Sequence, residues 1–369
     1  MQPAVREVPT KRFSIAEVAT LYRNQPDNSS MGPRGHIGPA GYRRVKGFLT
    51  IKGNSREAID SILDTVSFGI SGMNGRLLPQ NAAFLSGCER LTVSAVINDE
   101  MMGYLRAKAK ARGINIEAII PRNPSEGEGS IVSFGSNKPE RGPKPEEMDQ
   151  HRQFVRTELP SLGRDASEHT EILRDVRNKG YQIHVVTGDK TERKAEELGT
   201  TLDLFARLIE VTFAYDHQSA RAVLQNPNNI VTLTVKDRKP AGMCVIERSE
   251  IILNDGSRAR RAELTDVVVA HTINHGSQYE THLGQNLYLA MTTHSLARMS
   301  QEPSHTIHGE YTLTHHASPA SSATEGQRVA GIYPNHTLVD DELTSFAVMH
   351  IPNDQTLNEL NGRVKEALR

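Results

Sequence analysis

Three carboxylates stand inside apolar runs and ask for a reason. Glu263 and Asp266 fall in AELTDVVV, and Glu310 falls in HTIHGEYTL. A carboxylate in such surroundings is costly without a partner, and one placed beside an amine can take its proton. Either acid of the first run can instead face solvent or pair with Arg258, Arg260 or Arg261. Side chains alternate along a strand, so Glu263 and Asp266 face opposite ways unless a bulge intervenes. Histidines crowd the same part of the chain: His294, His305, His308, His315, His316 and His336. His305 and His308 face opposite sides of a strand, and His315 and His316 are adjacent. Neither spacing is a helical pair or another zinc motif, so no metal is expected. His315, at a strand end, is a candidate base or substrate contact. The segment HTINHGSQYETHLGQNL leads into a helix expected from about Gln285. Its Gly276, Ser277 and Gly284 would let a backbone approach closely, and free amides at a helix start favour an anion such as a diphosphate. An ordinary loop before a helix has the same composition.

The elements that must hold these groups follow from periodicity. RRVKGFLTIKG, ERLTVSAVI, INIEAIIPR and SIVSFGSN read as strands, with REAIDSILDTVSFGIS and NDEMMGYLRAKAKARG as helices between them. A second regular region opens with the strand YQIHVVTGD. After a mostly helical stretch come the strands NIVTLTVKD, KPAGMCVIERSEIIL and RARRAELTDVVVAH, with Asp255-Gly256 marking a hairpin. The helix GQNLYLAMTTHSLARM, the strand HTIHGEYTL, a short helix over SPASSATEGQRVAG, the strand ELTSFAVMHI and a terminal helix complete the order. The first region repeats the strand-helix-strand-helix-strand order of the back half of the second. The chain therefore divides into an arm (1–42), a first unit (43–137), a linker with a helix (138–180), a second unit (181–352) and a C-terminal helix (353–369).

Composition narrows the function. Over 369 residues, 43 basic and 44 acidic side chains nearly cancel, so nothing marks the chain as a nucleic-acid binder. Trp is absent and aromatics are 5%, which disfavours a stacking platform. Two cysteines, Cys88 and Cys244, exclude a disulfide scaffold, and Cys244 reads as structural. No signal segment or long apolar run is visible, so a cytoplasmic protein without membrane partners is expected. The phosphate loops GxGxxG and GxxxxGK[ST] and the nucleophile elbow GxSxG are missing.

Three segments carry a resemblance. VTFAYDHQSARAVLQ before NIVTLTVKD, the acidic strand AELTDVVV, and EYTLTHHASPASSATEGQRVAGIYPNHTLV are similar to the GNAT superfamily of N-acyltransferases, nearest to the beta-lysine N-acetyltransferase group. The resemblance covers about residues 43–351. It implies an α/β (α+β) fold, a GNAT-like mixed sheet with flanking helices, preceded by a degenerate half copy. It implies transfer of an acetyl group from acetyl-CoA to a primary amine of a small molecule such as an amino acid. It places the free amides of the splayed central strand at Val267, Val268 and Val269, and the donor's diphosphate near Gln278, His282, Gly284 and Gln285. Glu263, Asp266 and His315 would serve catalysis. The pattern is departed from in two places. Tyr279 stands at the Arg/Gln position of the loop, and Gln327 stands where the general-acid Tyr belongs. These departures leave a non-catalytic ligand- or protein-binding module as the alternative, and a homodimer stays open.

Overall fold

The structure, a computed structural model, describes residues 36–37, 43–74, 88–213, 216–270, 278–302, 305–313, 317–339 and 342–369. The first unit runs β1 (His36–Ile37), β2 (Arg43–Gly53), α1 (Arg56–Met73), β3 (Arg90–Ile97), α2 (Met102–Ala111), β4 (Asn115–Pro121) and β5 (Ser130–Asn137). Helices α3 (Pro145–Gln153), α4 (Leu159–Leu162) and α5 (Ala166–Asn178) follow. Next come β6 (Gln182–Thr187), α6 (Thr191–Glu197), α7 (Leu202–Phe213), α8 (His217–Gln225), β7 (Ile230–Lys236), β8 (Lys239–Ile252) and β9 (Arg258–Val269). The chain closes with α9 (Gln278–Met299), β10 (Thr306–Thr312), α10 (Ala317–Thr324), β11 (Arg328–Val339), β12 (Glu342–His350) and α11 (Asp354–Ala367). Helix starts are capped where sequence puts a short polar residue. Ser55 accepts from the Ala58 amide at 3.2 Å, and Asp165 from the Glu168 amide at 2.9 Å.

Among the described residues, twelve strands join one mixed sheet in the order β1-β2-β3-β5-β4-β11-β12-β10-β9-β8-β7-β6, with helices packed against it. Two neighbouring pairs are parallel, β2/β3 and β9/β10, and each is bridged by a helix. The order β2-β3-β5-β4 in the first unit matches β9-β10-β12-β11 in the second. The two sets meet edge to edge through antiparallel β4 and β11, at Ala118 opposite Gly331. A Cβ on Gly331 would lie 2.0 Å from the Glu117 carbonyl oxygen, so only glycine allows this approach. The sheet then curls until β2 reaches the β8–β9 turn. There the Asn254 amide donates to the Thr50 carbonyl at 2.8 Å, and the Lys52 amide to Asn254 Oδ1 at 3.0 Å. Phe48, Val96, Ile120, Ala259, Tyr333 and Val348 fill the concave space between the units.

Two expectations need correction. The segment QRVAG is not helical: α10 stops at Thr324, and Arg328–Val339 forms a strand that the composition of SPASSATEGQRVAG hid. Helix α9 begins at Gln278, about two turns before Gln285. No helix among the described residues is long and apolar enough to cross a membrane.

Candidate active site

Strand β9 carries a bulge. Val245 pairs with Thr265 and Met243 with Val268, so Asp266 and Val267 together oppose Cys244. Asp266 has φ +47°, a left-handed conformation that a strand residue adopts only under constraint. The bulge changes which way side chains point. Ala262 and Leu264 enter the core beneath α9, and after the bulge Val267 and Val269 do so instead. At the same place β9 and β10 separate. Their parallel pairing runs from Arg261–Thr306 to Leu264–Gly309 and ends there. Beyond it β10 keeps only β12, through Glu310, Tyr311 and Thr312. A fork therefore opens between adjacent parallel strands at Gly309.

One face of the fork looks into the concave space and holds a buried charge network. Lys46, reaching across from β2, lies 3.1 Å from Glu263 Oε1 and also contacts Glu310 Oε1. Arg261 donates to Glu263 Oε2 at 3.0 Å. His308 Nε2 stands 3.8 Å from Glu263, and His336 Nε2 stands 2.9 Å from Glu310 Oε2. Arg90, fully buried, donates to His336 Nδ1 at 3.2 Å and pairs with Glu117. Burial, the largest single influence, raises the Glu263 carboxyl, but Lys46 together with His308 and Arg261 outweighs it and holds the group below its usual range. Burial pushes His308 down to about 4, so its imidazole is neutral near pH 7. Thr92, Ser94, Ser133 and Tyr333 complete a small polar pocket beside these groups.

The other face looks toward α9 and α10. Tyr311 folds back over the last paired residue: a Cβ on Gly309 would lie 2.4 Å from its hydroxyl. That hydroxyl donates to Gln327 Oε1 at 3.0 Å, and Gln327 Nε2 donates to Glu325 Oε2 at 3.1 Å. Thr292 and Thr293 donate to Glu325 Oε1 at 2.5 and 3.0 Å. Burial pushes the Glu325 carboxyl up to about 7 despite these donors. Cys244, buried beside Ser295, is pushed up to about 12 by desolvation and is no nucleophile.

The predicted residues fall as follows. Glu263 and Asp266 flank the fork, the bulge being what sequence alternation lacked. Val267, Val268 and Val269 form the end of β9 beyond the last β10 partner. Gln278, His282, Gly284 and Gln285 all lie within α9. The unsatisfied amides of a helix are its first four. They belong here to residues 278–281, so Gly284 and Gln285 drop out as amide donors to an anion. His315 and the loop 271–277 lie outside the described residues. Sequence reasoning missed Lys46, Tyr311 and Glu325. Lys46 had a signal: it shares a strand face with the buried Phe48. Glu325, among small polar residues, had none.

Ligand atoms of Glu263, His308 and Glu310 lie within 4.8 Å of one another, a spacing a cation could use. Lys46 already bridges the two carboxylates, with Arg261 beside it. A divalent ion would meet both fixed positive charges, so the cluster is an ion-pair network.

No protein-family model and no curated protein matches the sequence. Among solved structures, an Arabidopsis thaliana NAA60 bound to a bisubstrate analogue is similar at 10% identity, covering 47% of this chain and 98% of that one, with a TM-score of 0.33. The ribosomal-protein-S18-alanine N-acetyltransferase from Escherichia coli is similar at 15% identity, over 46% and 94% of the chains, with a TM-score of 0.33. A spermidine N-acetyltransferase SpeG mutant from Vibrio cholerae is similar at 11% identity, over 48% and 97%, with a TM-score of 0.32. Likenesses at this level specify neither activity nor substrate.

Proposed function

We propose that the chain is an N-acyltransferase of the GNAT type, moving an acetyl group from acetyl-CoA to a primary amine of a small molecule, an amino acid or amine. The observation that carries this reading is the fork at Gly309, opened beside a bulge whose Asp266 has φ +47°. The parallel β9–β10 pairing ends at Leu264 opposite Gly309, and backbone groups on the β10 side of Val267 and Val268 can aim at a carbonyl oxygen as it gains charge. Acids on the concave face, Glu263 and Glu310, can receive the proton of an ammonium. Tyr311 supplies a hydroxyl on Gln327, where the family pattern expects a tyrosine. The amides at the start of α9 can face the donor's phosphates.

The reaction would be direct attack by the amine on the thioester, with no covalent enzyme intermediate. Thermal melting with and without acetyl-CoA tests the reading. At 100 times its Kd the donor should stabilise the fold by about 2.7 kcal/mol. An unchanged melting temperature over a wide donor range overturns it and favours a binding module of another kind.

A further inference from the structure

The side chain bridging the two carboxylates at the fork is itself a primary amine. Lys46 Nζ sits against Glu263 of β9 and Glu310 of β10, one residue beyond the last β9–β10 pair. It arrives from β2 of the first unit, and its side chain is 8% exposed. We propose that Lys46 is an acceptor of the protein's own acyl transfer, a self-acetylation site, an inference that rests on the function proposed above.

Three features of the network serve this step. The amine is held in place by the fold, so attack is intramolecular and escapes the entropy cost of collecting a diffusing acceptor. A carboxylate touches the nitrogen, so the ammonium can pass one proton to Glu310 before attack. His336, 2.9 Å from the other Glu310 oxygen, and Arg90 behind it fix the carboxylate's orientation.

The step balances. The Lys46 Nζ lone pair forms a bond to the thioester carbonyl carbon, and the carbon–sulfur bond breaks. The second proton leaves the nitrogen and ends on the departing thiolate, giving free coenzyme A thiol. The product is a neutral amide on Lys46. Glu263 and Glu310 then face each other without the cation between them, and Arg261 remains as the near charge on Glu263. The modification is a single turnover, and it removes the plug that an incoming acceptor ammonium would otherwise have to displace.

The test is peptide mapping by mass spectrometry of the full-length protein after incubation with isotope-labelled acetyl-CoA. The expected result is one acetyl group per chain at Lys46, with a rate constant independent of protein concentration. Glu310→Gln should slow labelling about a hundredfold, the range of a lost proton acceptor. Lys46→Arg should abolish the label at this position, with melting curves confirming that both variants fold. A donor that shifts melting but leaves Lys46 unlabelled, or labels only exposed lysines, overturns the proposal and leaves the acyltransferase reading standing. Absence of any donor-dependent shift overturns both.

Discussion

Glu325 shows how burial places a carboxyl in the neutral range. Its group moves from 4.5 to about 7 because desolvation outweighs three hydrogen-bond donors. The folded state therefore holds this proton where the unfolded chain has released it. Its contribution to stability is greatest below about pH 4.5 and is lost as pH rises to about 7, a change of about 3 kcal/mol. Urea unfolding of wild type and Glu325→Gln across this window should show a difference that grows with pH, the variant becoming relatively more stable. Comparing the two chains isolates the effect. His169, His294 and His308, pushed to about 4 by burial, pull the other way and destabilise the fold as pH falls below 6.5. Tyr311 makes a second residue-scale case. Tyr311→Phe deletes one buried hydrogen bond, at a stability cost of about 1 kcal/mol. If Tyr311 protonates the departing thiolate, as the proposed acyltransferase reading implies, steady-state kinetics should show kcat falling at least tenfold with donor KM nearly unchanged. A raised donor KM with kcat unchanged would instead assign the hydroxyl to donor binding.

Strand β9 is where the elements and the chemistry meet. Asp tolerates a left-handed backbone better than most residues, and a β-branched side chain tolerates it poorly. Asp266→Val should lower stability by about 1–3 kcal/mol and weaken acetyl-CoA in the melting assay, whereas Asp266→Gly should keep the bulge and most of the donor shift. Most strands and their order were legible because β-rich apolar runs mark them, with clear alternation in ERLTVSAVI for β3. The bulge was not, since AELTDVVV carries no glycine to announce a break in pairing. Strand β11 was missed because its start follows a run of small residues that suits a helix equally well. The charge network was half legible. Glu263 and Glu310 stand out as acids in apolar runs, but Lys46 is 217 residues from Glu263 in sequence, and only the curl of the sheet joins them.

Across the whole molecule, the two parallel pairs differ in the gap they leave. In the first unit β2 and β3 pair through Leu49 and Ala95, shift register, and meet again at Gly53 and Ile97. A Cβ at Gly53 would lie 2.6 Å from Ile97 and 2.7 Å from Ile59, so side chains fill this end. Among its described residues the first unit therefore offers no such fork; it contributes Lys46, Thr92 and Ser133 to the shared pocket, and Arg90 to the charge network behind it. The β4–β11 seam should be sensitive. Gly331→Val drives a side chain into the Glu117 carbonyl and should cost roughly 2–4 kcal/mol. Denaturation followed by two probes, one in each unit, should then separate into two transitions where wild type shows one.

Because one wall of the pocket comes from β2 and the opposite wall from β9 and β10, neither half of the polypeptide encloses it alone. Two separately expressed pieces, cut in the stretch 138–144 between β5 and α3, would each be inert. On the acyltransferase reading proposed above, transfer activity regained on mixing them would report their reassembly.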